Sequence, residues 1–267
     1  MKFTTDAEYY ADTTHLSNSM VSAYLRSPAY YKALYIDKTI DRPITPALEF
    51  GSAVDVLLTE GQDAFDARFS RKVLKRDDPD LFEENKSSGK TILSPQMWIK
   101  VHQVVDKVSS TEAFKWLTSH NAMTQVTLTG EIEGIKVKGK LDFLTIVKDV
   151  AFIDDLKTTK NVKPIKHLYH CHDYNYFNQA WMYKQLVLQN YPEVSMVYNR
   201  HLVVSKEDWP RVSTFILSEM QVDRCEPIVR AALHGITNKE FSEKEVSWSN
   251  AHTIGVTEEE EVEWNKV

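Results

Sequence analysis

The 267-residue sequence predicts an α+β protein with a central mixed sheet flanked by helices. Three observations carry that expectation. Hydrophobicity turns to a period of two after Ala122 and returns to it over Ser195–Val204 and Arg211–Leu217, the signature of half-buried strands. N-cap residues and a 3.6-residue period mark helices before Ala122 and after Asp173. Between them, apolar strands at Lys140–Val147 and Val150–Leu156 are joined by a polar turn at Lys148 and Asp149.

Composition sets the frame. Hydrophobic residues make up 42% and charged ones 26%, ordinary for a globular domain. One domain is expected over 1–257, with a helical part at 14–120 and a sheet with helices at 121–250. An acidic tail at 258–267 follows, in which Glu258, Glu259, Glu260, Glu261 and Glu263 against Lys266 supply −4 of the net −6, leaving −2 elsewhere. Such a tail reads as a solvated end. No apolar run reaches the ~18 residues of a membrane span, and the N-terminus lacks an apolar signal core. Cys171 and Cys225 are too few for a four-thiolate zinc site, an iron–sulfur cluster or a disulfide framework. A reducing cytoplasm is therefore expected, the host's if the gene is a phage's.

In chain order, residues 1–13 read as irregular. Ser17 and Asn18 open a helix to about Arg26, and Ser27-Pro28 starts a second toward Tyr35. A third runs from Ala47 to Thr59. There Asp55 lies among Val54, Val56 and Leu58, costly to bury without a compensating cation; an exposed stripe is the equal alternative. Residues 68–90 read as a mobile loop, basic from Arg68 through Arg71 and Lys72 to Arg76, then acidic. Arg71 and Lys72 are candidate phosphate contacts, against the plainer reading of a solvated surface. Helices follow from Ser94-Pro95 and from a capping box at Ser109 and Glu112. Gly130 and Gly134 are placed at turns. After Lys160 a polar connector carries His167, His170, Cys171 and His172, a spacing that matches no standard zinc site. The amphipathic helix from Asp173 to Gln189 sets Gln179 and Tyr183 on one face. Pro227 should kink or restart the last helix.

The chemistry concentrates at Gly139–Lys160. Asp155 and Lys157 project to one face of their strand, and the hairpin brings Asp142 beside them. Two carboxylates and an ammonium suit a divalent metal, a phosphodiester and an attacking water. In order along the chain come a helix with Asp55, a strand with Asp142, a strand ending Asp155, Leu156, Lys157, and a helix with Gln179 and Tyr183. This order resembles the PD-(D/E)xK nuclease superfamily, and within it the RecE-type exonucleases of phages and prophages, related to the RecB nuclease domain and lambda exonuclease. The resemblance covers roughly residues 16–205. It implies a restriction-endonuclease-like core and a metal-dependent exonuclease that degrades linear duplex DNA from its ends. Asp142, Asp155, Lys157, Gln179 and Tyr183 would be catalytic. Asp55, Asp142, Asp155 and the Leu156 carbonyl would hold Mg²⁺ or Mn²⁺, and Thr158 and Thr159 would contact phosphates. It further implies a single-strand annealing protein as partner and a ring of three or four copies. The chain departs at Asp55, where the family usually carries histidine; hard cations favour oxygen, so aspartate suits Mg²⁺. The alternative from another class is a catalytically silent DNA-binding or protein-interaction module on the same fold.

Overall fold

Short polar caps and prolines start most of the helices. The structure, a computed structural model, describes residues 5–242. Thr5 and Glu8 form a capping box on α1 (Asp6–Ala11), whose Tyr9 is buried. This segment is therefore ordered rather than irregular. β1 (Leu16–Ser17), α2 (Asn18–Arg26) and α3 (Pro28–Tyr31) follow, the last continuing as a π-turn over Lys32–Ile36. Thr45 accepts the Leu48 N–H at the start of α4 (Pro46–Thr59).

The segment expected to be a mobile loop is instead structured. After α5 (Gln62–Arg68) come β2 (Phe69–Arg71), α6 (Pro79–Ser87) and β3 (Thr91–Leu93), with β2 and β3 forming a small parallel pair. Asp78 caps α6 through the Leu81 N–H. Ser94 caps α7 (Pro95–Ser109). Thr111, not Ser109, caps α8 (Glu112–Ser119), accepting the Phe114 N–H.

The main sheet has six strands: β1 with β4 (Met123–Ile132), β5 (Ile135–Val147), β6 (Val150–Thr159), β7 (Met196–Ser205) and β8 (Val212–Ile216). β6 pairs with β7 in parallel, and β5 pairs antiparallel with both β4 and β6. β4 lies along β5 from Ile135 to Leu144, overlapping both the β1 contact at Val137 and Lys138 and the first β6 contact at Phe143. β1 and β6 must therefore share the other edge of β5. Between them, residues 139–142 of that edge pair with neither strand. Asp142 ends this gap.

α9 (Pro164–Asp173) replaces the expected connector, and α10 (Tyr176–Asn190), α11 (Glu219–Asp223) and α12 (Glu226–Thr237) complete the chain. The last helix restarts beside Pro227 as expected. One face of the sheet packs on α10, α2 and α12 through Leu141, Leu144, Ile153, Trp181, Leu186 and Leu233. The other packs on α4 and α7 through Phe50, Val54, Val101, Val104, Leu202 and Val204. α10 is buried on more than one side, with Phe177, Trp181, Met182, Tyr183 and Val187 all inside, so it is less one-faced than the sequence suggests. Lys184 joins it to Glu219 and Asp223 of the α11 segment.

Two glycines let α10 approach the sheet. Gly134 occupies the β4–β5 turn at φ +77°, but Gly130 lies within β4. A Cβ on Gly130 would fall 2.5 Å from Gln189 Oε1, and one on Gly139 would fall 2.8 Å from both Leu186 and Tyr183. The Tyr183 ring makes the requirement strict at Gly139, whereas at Gly130 the nearest atom is the flexible end of Gln189. Gly139→Val is expected to destabilise by roughly 1–3 kcal/mol, the usual cost of overpacking, seen as a melting temperature lowered by ~2–4 °C per kcal/mol. Lys136→Val on the same strand, at an exposed position, should change it far less.

Candidate active site

The gap in β5 creates the site. Where β6 loses its β5 partner, its Leu156 N–H needs another acceptor. Asp142 Oδ2 takes it at 2.8 Å. Strand alternation sends Asp154 and Asp155 to opposite faces. Asp154 is spent on Arg200 in a two-bond pair, both at 2.7 Å. Asp155, 7% exposed, faces α10 instead, and Lys157 Nζ lies 2.5 Å from its Oδ2.

Lys157 is held on several sides. It donates to Gln179 Oε1 at 3.1 Å. Gln179 Nε2 donates to Tyr183 OH at 3.1 Å, and Tyr183 donates to the Lys140 carbonyl at 2.8 Å. The one-turn spacing of Gln179 and Tyr183 thus runs from Lys157 to the unpaired stretch of β5. Tyr176, at the first turn of α10, lays its ring 4.1 Å from Lys157 Nζ, a cation–π contact. Nothing in the residue spacing singled out Tyr176; only its place at the start of the Gln179 helix hinted at it.

Asp55 reaches the region from α4. Gln125, at φ +50° in β4, donates to both of its oxygens at 3.2 Å and to Thr59 at 2.8 Å. The equal alternatives for Asp55 resolve to a half-buried acid held by an amide. The three acids do not close tightly. Among the described residues, the one group of His, Cys, Asp or Glu whose ligand atoms all lie within 4.8 Å of one another is His167, Cys171 and His201.

Electrostatics nevertheless couple the acids. Burial, then the charge of Asp155, pushes Asp55 up to about 6. Burial, then Asp155 and Asp55, pushes Asp142 well above the carboxylate range. Burial draws Lys157 toward neutrality, but Asp155, Tyr176 and Asp142 outweigh it and raise its pKa. Burial keeps the Tyr183 phenol protonated far above its ordinary range. The donor set is hard oxygen with excess negative charge, and Asp155 Oδ2 is buried with no hydrogen bond beyond its ion pair. Asp55, Asp142 and Asp155 therefore fit a divalent cation of the Mg²⁺ type.

Beyond Lys157 opens a cleft of about 740 Å³. Lys100, Lys157, Lys160 and Lys206 line it with Thr158, Thr159, Phe50 and Tyr174, and no carboxylate belongs to the lining. Thr159 is buried and its hydroxyl engages Asn161; Thr158 faces the cleft. Lys206 lies 4.9 Å from the Phe50 ring, and Lys100 is tied to Asp208 at 3.6 Å. Arg71 and Lys72 do not line the cleft. They are exposed at the end of β2, where the Lys72 N–H donates to the Leu93 carbonyl one residue before Ser94 of the cleft rim. Lys100, Lys160 and Lys206 were missed because they meet only in the fold.

Residues 17–242 match the family described as a PDDEXK-like domain of unknown function (DUF3799), and the chain belongs to that family. Its six-stranded α+β core is the restriction-endonuclease-like fold expected of PD-(D/E)xK proteins. The crystal structure of a candidate exonuclease from Eubacterium rectale aligns with a TM-score of 0.67 at 18% identity, over 97% of this chain and 98% of that one; this likeness shows the fold. A second structure, SSO0001, aligns at a TM-score of 0.28 and 18% identity over 49% of this chain and 65% of that one, too low to carry an argument. No curated protein matches the chain. No described helix is long and apolar enough to cross a membrane.

Raised carboxyl pKa values mean that the folded chain binds protons more tightly than the unfolded one. For Asp55, stability is lost as pH rises from its ordinary value of 3.8 through about 6. Asp142→Asn removes one repelling charge and keeps an oxygen for the Leu156 N–H. It is expected to raise the metal-free melting temperature at about pH 7.5 by several degrees, at ~2–4 °C per kcal/mol. The advantage should shrink toward about pH 5, where the carboxyls protonate in the wild type too. Thermal melts of both proteins with chelator, at the two pH values, check this. Added Mg²⁺ should stabilise the wild type more than the variant.

Proposed function

We propose that this chain is a metal-dependent nuclease that hydrolyses DNA phosphodiesters, acting as an exonuclease on linear duplex ends. The observation that carries the reading is the position of Lys157. It joins the acid cluster to a four-lysine cleft without carboxylates, in a chain whose net charge is −6. A phosphate placed there meets cations on one side and the acids' cation site on the other.

Each residue then has a task. Asp142 and Asp155, with Asp55 from α4, supply the oxygens for Mg²⁺ or Mn²⁺. The Leu156 carbonyl joins them, because the N–H and C=O of one strand residue point to the same side and its N–H already faces Asp142. A bound divalent cation polarises the scissile phosphate and makes a water more acidic. Lys157, with its raised pKa, stays an ammonium and donates to phosphoryl oxygens as charge grows on them. Gln179 and Tyr176 fix its direction. Tyr183 stays a phenol and anchors Gln179 to β5. Thr158 offers a hydroxyl to the neighbouring phosphate, with Lys160 and Lys206 behind it. These contacts go to the backbone and read no sequence, as trimming from an end requires.

The test is digestion of end-labelled linear and covalently closed duplexes with Mg²⁺, Mn²⁺ or chelator. Linear duplex should be degraded with either metal, closed circles spared, and chelator should stop the reaction. Asp142→Ala and Lys157→Ala should each lower the rate by on the order of 10²–10³-fold with circular dichroism unchanged. Gln179→Ala should cost less, since Lys157 keeps Asp155 and Tyr176. Wild-type protein that digests no duplex with either metal would overturn the nuclease reading and leave the silent binding module.

A further inference from the structure

α9 and β7 bring together three side chains that the nuclease reading does not use. His167 and Cys171 lie four residues apart, so they share one face of α9. His201 comes from β7, in register with Asp155 of β6. All three are buried, and one donor atom of each lies within 4.8 Å of the other two. His167 Nε2 and His201 Nδ1 are 2.9 Å apart. We infer that His167, Cys171 and His201 form a second metal site, for a borderline ion of the Zn²⁺ class, chemically separate from the oxygen donors of the acid cluster.

The donor set decides the ion. Two imidazoles and one sulfur suit Zn²⁺ and are poor ligands for Mg²⁺. Three protein ligands leave a fourth position for water. The rings are already oriented by aromatic packing. His167 stacks on Phe215 at 4.7 Å, and Tyr176 stands edge-on to His201 at 5.4 Å. An ion has a way in, because His167 also lines the cleft. Binding replaces the His167–His201 hydrogen bond by two nitrogen–metal bonds. The Cys171 thiol gives its proton to solvent and its sulfur to the metal. That thiolate offsets one of the ion's two charges, which matters beside the Lys157 ammonium. The competing reading is a metal-free core in which the two histidines satisfy each other and the thiol is inert.

Cobalt(II) separates the two readings, because a cobalt–thiolate bond has a near-ultraviolet charge-transfer band that oxygen ligation lacks. Full-length protein is stripped with chelator and titrated with Co²⁺, then with Zn²⁺. The band should saturate at about one equivalent, vanish as Zn²⁺ displaces Co²⁺, and resist a large excess of Mg²⁺. Cys225→Ser should keep it. As the chain has two cysteines, that alone assigns the sulfur to Cys171, even if Cys171→Ser folds poorly. Asp155→Asn should keep it too, which separates this site from the acid cluster whatever the nuclease assay shows. Absence of the band in the wild type, or its loss in Cys225→Ser, overturns the inference.

Discussion

The hydrogen bond from the Leu156 N–H to the Asp142 carboxylate is the contact on which the site rests. β5 shares one edge between β1 and β6, and that edge is left unpaired over residues 139–142 while β4 holds the other. An amide stranded at such a fork costs about 1–3 kcal/mol if buried without a partner. Asp142 removes that cost and is itself aimed across the fork at the Asp155 strand. The same gap exposes the Lys140 carbonyl, which Tyr183 claims. Folding thus fixes the two ends of a polar chain, and Gln179 and Lys157 are strung between them. Register does the rest. A one-residue slip of β6 would exchange Asp155 with Asp154 and turn Lys157 away from α10.

Charge is distributed so that one aspartate is neutralised and its neighbours are not. Arg200 spends its guanidinium on Asp154, on the face away from the cluster, and packs over Trp116 and Phe152. Asp55, Asp142 and Asp155 are only partly offset by the Lys157 ammonium, by Lys140 near Asp55, and by the neutral amide of Gln125. That imbalance raises Asp55 and Asp142 above the usual carboxylate range. Without a cation the imbalance is met by protons; a divalent cation bound as proposed would offset it instead.

Much of this was legible in the residues. The β5–β6 hairpin announced itself through alternation and the Lys148-Asp149 turn, and Asp155 and Lys157 follow from the period of two. Gln179 and Tyr183 followed from the turn length of a helix. Other parts were hidden for identifiable reasons. Between Arg68 and Lys90 the charge density masks short elements whose order comes from a capping aspartate and a two-strand pairing. α9 looked like a connector because its buried face is His167 and Cys171 with few aliphatics. His201 reads as one polar residue in a strand, and only the parallel register with β6 sets it beside Asp155. The cleft lysines come from α7, the end of β6 and the end of β7, a grouping with no local signature. The acidic tail at 258–267 lies outside the described residues.

The separation of charge between cleft and chain has a kinetic meaning. Beyond about 8 Å, the screening length at physiological ionic strength, the net charge of −6 is largely hidden from a polyanion; inside that distance, at the cleft, it meets the lysines. Attraction is thus short-ranged and confined to a concave surface. An anionic group reaches those lysines only by entering the cleft. What holds it is then its place in the fold and not the net charge of the chain.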